Sequence, residues 1–333
     1  GIKMESPINK TMTAAVYKRY GAPEELHLET VAVPDVAEGS VLVKVHTSSV
    51  NRTDCGFLRG KPQVVRLFSG LRKPKSTILG CEFAGEVVAL GEGVMGYVFG
   101  DRVFGFKDDD FGFGGHAEYS AIPVKGMIAR IPDPISYDIA AAGMEGAHYA
   151  LHYIRASGIK KGSAVLVNGS TGAIGSASVQ IIKHLGAHIT AVCAGEHMEL
   201  VRFLGADEVI DYQVADFTQL DQQFDVVFDS VGKSTFGRCK KILTAEGIYM
   251  SSELGPYWQN PFLAIGTKFF GKRRVLFPLP VNTNSDAQYL RNLMEQGVYT
   301  PVIDRSYPLS EITDAFHYVE TGMKVGNVVI KIA

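Results

Sequence analysis

The clearest chemical signal in the sequence is the run Asn168-Gly169-Ser170-Thr171-Gly172-Ala173-Ile174-Gly175. It follows an apolar β-type run, Ser163 to Val167. It opens a segment in which Ile174, Ala177, Ile181 and Leu185 recur at helical spacing until Gly186 stops it. Strand, glycine turn and helix in that order make a phosphate cradle. Gly172 lets the backbone approach a pyrophosphate, Gly175 lets the helix lie close to its sheet, and the free N–H groups of the first helical turn face the phosphates. Ser170, Thr171, Gly172, Ala173, Ile174 and Gly175 are therefore the expected dinucleotide contacts. The bland alternative, an empty tight turn, leaves unexplained why a second strand follows the helix at the spacing such a unit needs.

That second strand, His188 to Cys193, bears on which dinucleotide is held. Ala194 and Gly195 follow it, and no carboxylate occurs before Glu196. An acidic residue about twenty positions after the glycines holds the ribose 2′-hydroxyl of NAD, so its absence favours NADPH. Cys193 sits at the strand end, and His197, Arg202 and the Tyr212 hydroxyl are the groups available to a 2′-phosphate. Glu196 works against them, and ordinary solvated helix residues are the alternative for His197 and Arg202. Loops at the carboxyl ends of later strands add Ser230 and Val231, after Asp225 to Asp229, and Leu254, after Ile248 to Ser251.

A rival constellation is metallic. Glu145, His148 and His152 stand at i, i+3 and i+7 in an alanine-rich segment, Ile139 to Tyr153, that reads as one helix. Two histidines four apart can share an ion on one helix face, yet the run does not match HExxH. A packed, hydrogen-bonded pair is the commoner outcome, so no metal is expected there.

The elements that must hold these residues divide the chain. With 333 residues, 46% hydrophobic and 20% charged, the chain can bury a large core, and at about 150 residues per domain it makes roughly two domains. From Thr13 to Ile131 short β-type runs alternate with Gly, Pro and Asp turns, as in Ser40 to His46, Glu86 to Leu90 and Arg102 to Phe106. Beyond Pro134 strands and helices alternate, which predicts a parallel sheet with right-handed crossovers, and Val328 to Ile332 returns to strand. A balance of 33 basic against 35 acidic residues gives no field for nucleic acid or anionic membrane. Four scattered cysteines without a CxxC pair exclude a disulfide framework and a four-cysteine zinc lobe, and no apolar run reaches about eighteen residues. A cytoplasmic protein is the expectation. The stretch Arg59 to Lys75, with Arg66, Leu67, Phe68 and Leu71, reads either as an apolar lip for a hydrophobic substrate or as a surface helix.

Further segments extend the pattern over nearly the whole chain: Ser49-Val50-Asn51-Arg52-Thr53-Asp54, the stretch Leu79 to Val87 with Gly80-Cys81-Glu82, Gly100-Asp101-Arg102-Val103, Gly114-Gly115-His116-Ala117-Glu118-Tyr119, Leu204-Gly205-Ala206-Asp207 and Gly326-Asn327-Val328-Val329-Ile330. With them the sequence resembles the medium-chain dehydrogenase/reductase superfamily, in its zinc-independent, quinone-oxidoreductase-like branch. The resemblance implies an α/β fold: a Rossmann doubly wound parallel sheet over 135–301, and a GroES-like β-rich catalytic domain over 1–134 to which 302–333 return, with the active site in the cleft. It implies homodimers through Rossmann edge strands, for which Arg274 to Phe277 is the candidate. It makes Asn51 a contact to nicotinamide and substrate, Asp54 a support of its loop, and Asn327 a coenzyme contact.

Zinc alcohol dehydrogenases of that superfamily surround the ion with Cys, His and Cys and a neighbouring Glu. Here the matching positions hold Asn51 and Cys81, no cysteine lies in Ile139 to Tyr153, and only Glu82 agrees, so no metal is implied. Relatives often carry Thr where Tyr149 stands, which puts a phenol near the reacting centre. Tyr149 would orient the carboxamide or donate to a developing enolate oxygen, with a buried structural tyrosine as the alternative. Gly56 stands where quinone reductases of this type often have tyrosine, which weakens a claim for quinones alone. The implied activity is NADPH-dependent hydride transfer to a quinone or an α,β-unsaturated carbonyl. The alternatives are an aldehyde or enoyl-thioester reductase, or a non-catalytic NADPH-binding sensor. The implied partners are a small hydrophobic carbonyl or quinone and a second copy, with neither nucleic acid nor membrane.

Overall fold

The computed structural model describes residues 1–107 and 113–333 and contains two compact units. Gly146–Val281 form one; Gly1–Glu145 and Asn282–Ala333 form the other.

The 146–281 unit is built on six parallel strands. Their order across the sheet is Glu208–Asp211, His188–Cys193, Ala164–Asn168, Phe224–Asp229, Leu243–Ser251 and Arg274–Leu276. The chain starts in the middle at Ala164–Asn168, winds outward to one edge, then returns beside its starting strand and winds to the other. That makes the doubly wound α/β arrangement, with its switch point between Ala164–Asn168 and Phe224–Asp229. Val165, Leu166 and Val167 are wholly buried because both sheet faces are covered, which is why this strand reads as an unbroken apolar run. Leu166, Val192, Val227, Tyr249 and Val275 pack together in one core cluster of this unit. Helix Ala173–Leu185 lies against its flanking strands and ends at Gly186, in the left-handed region at φ 84°.

The other unit carries a mixed sheet. Its main order is Ile303–Pro308, Asn327–Lys331, Ser40–Val50, Glu82–Leu90, Arg102–Phe106 and Met127–Arg130, with Lys3–Met4 joining Glu82–Leu90 and Tyr119–Pro123 joining Ser40–Val50. The C-terminal strand pairs antiparallel with Ser40–Val50, Val328 opposite Val50 and Lys331 opposite Thr47. Alternate residues Val41, Val43 and Val45 face Phe83, Val87, Val103, Ile122 and Ile128 in the core. Thr11–Val16 and His27–Ala32 form a separate antiparallel pair.

Three expected features differ. Residues 135–145 and 282–301, assigned by sequence to the Rossmann part, pack in the β-rich unit. Helix Tyr137–Ala141 lies on Ser40–Val50 and Glu82–Leu90, tied by Asp138 to the Thr47 hydroxyl (2.9 Å) and the Lys331 ammonium (2.7 Å). Helix Asn284–Glu295 packs on Met127–Arg130, where the Asn284 amide donates to Gly126 O and Ile128 O at 2.9 and 3.2 Å. Secondly, Ile139 to Tyr153 is two helices, Tyr137–Ala141 and Glu145–Ser157, broken at Ala142-Gly143-Met144. The break frees the Met144 and Glu145 N–H groups, both of which donate to Glu82 Oε2 at 3.0 Å. Thirdly, Arg59 to Lys75 holds only one short α-helix, Arg66–Ser69, with Leu67 and Phe68 exposed.

Candidate active site

Every predicted coenzyme residue except Asn51 and Asn327 lies in the 146–281 unit, around the carboxyl ends of its strands. The glycine turn is pinned from two sides. Ser170 donates through N and Oγ to Val192 O (3.1 and 2.9 Å), and Ser230 Oγ donates to Asn168 O (2.6 Å) and Gly169 O (3.1 Å). Below the turn, Asn168 Nδ2 donates to Asp229 Oδ1 at 3.1 Å across the switch point. Helix Ala173–Leu185 starts at Gly172 with no side chain capping it, which leaves its first N–H groups for an anionic ligand. A Cβ on Gly175 would overlap Gly169 O, so the helix and turn meet backbone to backbone. A Cβ on Gly172 would meet only Gly169 O, at 3.5 Å. This cradle fits a pyrophosphate: donors converge on it, and the glycine at its mouth has room beside it.

The adenosine side has a feature that the sequence reading missed. Asp211 stands in register with Cys193, and a Cβ on Gly195 would overlap its carboxylate, so a neighbouring strand supplies the acid that the expected position lacks. Asp211 Oδ1 accepts from Gln213 N at 2.9 Å. Glu196 is drawn to His197, 3.5 Å away, and Tyr212 is exposed while its N–H donates to Cys193 O (3.2 Å). On the other side, Val231 packs on Gly169, and Leu254 O accepts from Asn260 N at 2.9 Å. Tyr149 is half-buried on helix Glu145–Ser157, its ring 5.7 Å from that of His148. Gly146, at the start of that helix, lies against the glycine turn, since a Cβ there would stand 2.7 Å from Ala173 O. His148 and His152 meet edge to face at 4.6 Å, and His152 Nε2 lies 3.1 Å from Val281 O.

Asn51 lies in the β-rich unit, within a buried polar cluster. It caps helix Arg52–Arg59, and Asp54 Oδ2 accepts its N–H at 2.9 Å. Its side-chain Nδ2 donates to Glu82 Oε1 (3.0 Å) and to Glu145 Oε2 (2.7 Å). Glu82 also accepts from Ser49 Oγ at 2.7 Å and from the two N–H groups of the helix break. Burial pushes both glutamic acids above the usual carboxylate range; their hydrogen bonds oppose it, and Asp54 adds to it by like-charge repulsion. Lys324, half-buried ahead of the last strand, donates to Gly326 O at 2.6 Å, and desolvation lowers its ammonium to about 8. Asn327 is buried in that strand, its amide Nδ2 donating to Val302 O at 3.0 Å.

The donor set here does not suit zinc. Asp54, Cys81 and Glu145 offer one donor atom each within 4.8 Å of one another. Asp54 is already engaged, by Asn51 N and by Gly80 N at 3.0 Å, and the Cys81 thiol points at it from 3.6 Å. Burial and the three surrounding carboxyls push that thiol well up, whereas zinc binds thiolate. The sequence reading named Glu82 but missed its partnership with Glu145, whose only signal was a carboxyl in an otherwise apolar run.

A doubly wound sheet with an open phosphate cradle, in a chain that also carries a separate β-rich unit, defines a coenzyme-binding protein of Rossmann plus GroES-like build. Residues 37–133 match the family model described as alcohol dehydrogenase GroES-like domain, and residues 204–330 that described as zinc-binding dehydrogenase. A 2-methylene-furan-3-one reductase of Solanum lycopersicum is 32% identical over 338 residues, covering 97% of this chain and 80% of its own. A chloroplastic NADPH-dependent alkenal/one oxidoreductase of Arabidopsis thaliana is 30% identical over 342 residues, covering 99% and 82%. The solved quinone oxidoreductase from Coxiella burnetii is similar with a TM-score of 0.87 at 26% identity, covering 97% of this chain and all of that one. The chain belongs to the medium-chain dehydrogenase/reductase superfamily, in its quinone-oxidoreductase-like branch. No helix among the described residues is long and apolar enough to cross a membrane.

Proposed function

We propose that this chain is a zinc-independent, NADPH-dependent reductase acting on a quinone or an α,β-unsaturated carbonyl. The observation that carries the reading is the uncapped helix start at Gly172, pinned at the switch point by Ser170 and Ser230. The names of the relatives, a furanone reductase, an alkenal/one oxidoreductase and a quinone oxidoreductase, support the substrate class. The N–H groups of Ala173, Ile174 and Gly175 hold the pyrophosphate, with Gly172 giving it room and Ser170 and Thr171 shaping the turn. Cys193, His197 and Tyr212 flank the adenosine end, and Ser230, Val231 and Leu254 the nicotinamide end. Bound there, the reduced nicotinamide supplies the hydride. The choice of NADPH over NADH rests on the end of the second strand, Cys193-Ala194-Gly195, which carries no carboxylate of its own, and on the coenzyme named for the alkenal/one relative; Asp211 Oδ2, at Gly195, is the one group that argues for NADH. Asn51 and Asn327 are retained as coenzyme or substrate contacts.

Tyr149 donates a hydrogen bond to the substrate oxygen as charge develops on it. Replacing Tyr149 by Phe should lower kcat about 100-fold, the loss of one oxyanion donor, while NADPH binding stays unchanged. Unaltered turnover in the variant dismisses that role. Strand Arg274–Leu276 closes one side of the six-stranded sheet, and the same edge in a second copy would extend it across a two-fold axis; sedimentation at twice 36.1 kDa is the expected readout. Four buried cysteines, none paired, suit a reducing compartment such as the cytoplasm.

The reading is tested by following NADPH and NADH oxidation with 1,4-naphthoquinone, a linear enone, an aldehyde and an enoyl thioester, with and without chelator. Quinone or enone turnover with NADPH, indifferent to chelator, is expected. Turnover confined to the aldehyde or thioester, or lost with chelator, contradicts it. Tight NADPH binding without turnover across the panel would make the protein a sensor.

A further inference from the structure

Helix Gln259–Phe270 is apolar on more sides than its sheet covers. Leu263 and Ala264 pack on the core cluster of the 146–281 unit, and Thr267 Oγ1 accepts from Val275 N at 2.9 Å, so these three mark the side that faces the sheet. Phe262, Ile265 and Phe269 recur at i, i+3 and i+7 on the opposite side, where they are 70%, 64% and 70% exposed. Phe270 at the helix end is exposed too, as are Tyr257 and Trp258 just before its start. A helix apolar all round is ordinarily buried, and an outward apolar stripe rimmed by polar groups marks a contact surface.

The charges around the stripe say what it meets. The sequence implied no membrane partner because its charges were counted over the whole chain; residues 254–281 hold Lys268, Lys272, Arg273 and Arg274 and no Asp or Glu. Beside the last turn of the helix lies a groove of about 480 Å³ with Phe236, Leu263 and Phe270 along its wall and Lys240, Lys272 and Arg273 as its charged groups. No carboxylate among the described residues lines it. Arg273 Nη2 donates to Leu243 O at 3.2 Å and Lys240 Nζ stands 5.0 Å from the Phe236 ring centre, and among the described residues no acid is paired with either, nor with Lys268 or Lys272. A second copy is a poor cover for this face. A two-fold interface sets a patch against itself, which here brings cations together with no acid to meet them, and pairing through the edge Arg274–Leu276 leaves the side opposite the sheet outward. Nucleic acid fits poorly as well, since the cations gather at one end of the stripe instead of tracking the rings.

We propose that helix Gln259–Phe270 docks this protein on a bilayer carrying anionic lipid. Phe262, Ile265 and Phe269 enter the boundary between headgroups and acyl chains, Tyr257 and Trp258 sit at headgroup level, and the groove of Lys240, Lys272 and Arg273 receives a lipid phosphate. The helix lies along the surface and does not span it. Attachment through one short helix and a few cations is reversible and weakened by salt. It is independent of the reductase reading.

The test mixes the full chain with vesicles of phosphatidylcholine, with or without phosphatidylserine. Trp258 is the only tryptophan in the chain, so a blue shift of its emission and quenching by brominated acyl chains report insertion at this helix. The protein should sediment with the anionic vesicles, stay in solution with the neutral ones, and be released by high salt. Phe262→Ser with Phe269→Ser should weaken vesicle binding about 100-fold, the loss of two inserted rings. Lys268→Gln with Lys272→Gln should weaken it about 20-fold. Both pairs should melt as the wild type does, because the side chains point to solvent; should the phenylalanine pair fail to fold, the lysine pair decides. A wild-type chain that ignores anionic vesicles, or wild-type vesicle binding by either folded variant, overturns the proposal. So does a phenylalanine pair that turns a dimer into a monomer while the wild type binds no vesicles, which assigns the face to a second copy. Capture of a single-stranded oligonucleotide in preference to the vesicles also overturns it.

Discussion

Alanine at Gly175 should abolish coenzyme binding and weaken the fold with it. The added methyl would overlap Gly169 O and stand 2.8 and 2.9 Å from Gly169 C and Ser170 Cα, all backbone atoms that no rotamer change can move aside. The turn is held by Ser170 on Val192 O and by Ser230 on Asn168 O and Gly169 O, so yielding breaks those bonds as well. Overpacking of this kind costs about 1–3 kcal/mol of stability, and a displaced cradle should raise the Kd for NADPH about 100-fold or more. Gly172→Ala is the informative partner. Its φ of −70° suits any residue and its nearest neighbour is 3.5 Å away, so the melting temperature should hold while a methyl at the cradle mouth still expels the pyrophosphate. Fluorescence titration with NADPH alongside thermal unfolding reads both effects. Gly175→Ala binding coenzyme as the wild type does would mean that the cradle lies elsewhere.

Removing Glu82 should cost more stability than any other single change in the β-rich unit. Glu82→Ala strips the acceptor from Ser49, Asn51, Met144 N and Glu145 N inside a site closed to water. Each unsatisfied buried donor costs about 1–3 kcal/mol, and the break between helices Tyr137–Ala141 and Glu145–Ser157 loses what holds it open, so about 4 kcal/mol or more is expected. Glu82→Gln keeps one acceptor oxygen and should lose roughly half as much. Urea unfolding of the two variants measures this directly. A Glu82→Ala protein as stable as the wild type would show that these hydrogen bonds do not hold the break.

The sequence made the coenzyme unit legible because its signals are local. Glycines at 175 and 186 are each demanded by a backbone feature within a few residues, Gly172 leaves the cradle mouth open, and the buried strands show as apolar runs. Helix Gln259–Phe270 escaped notice because Phe262, Ile265 and Phe269 point outward while Leu263 packs inward, so no single apolar stripe marks it. The carboxyl cluster was illegible for a different reason. Ser49, Asn51, Glu82 and Glu145 meet only through strand pairing and the helix break, the hydrogen-bonded pair Asn51 and Glu145 lying 94 residues apart. Read along one helix, Glu145 looked like a companion of His148 and His152; in the fold its carboxylate receives the Asn51 amide at 2.7 Å. Asp211 was hidden likewise, because it reaches Gly195 from the adjacent strand.

Deuteride transfer in metal-free protein tests the central claim most directly. Protein dialysed against chelator and shown by elemental analysis to hold no zinc is given NADPH deuterated at nicotinamide C4 and a linear enone. Mass and NMR spectra of the product should place one deuterium on the β-carbon, at the rate of undialysed protein. An unlabelled product, or transfer that waits for added zinc, contradicts the account.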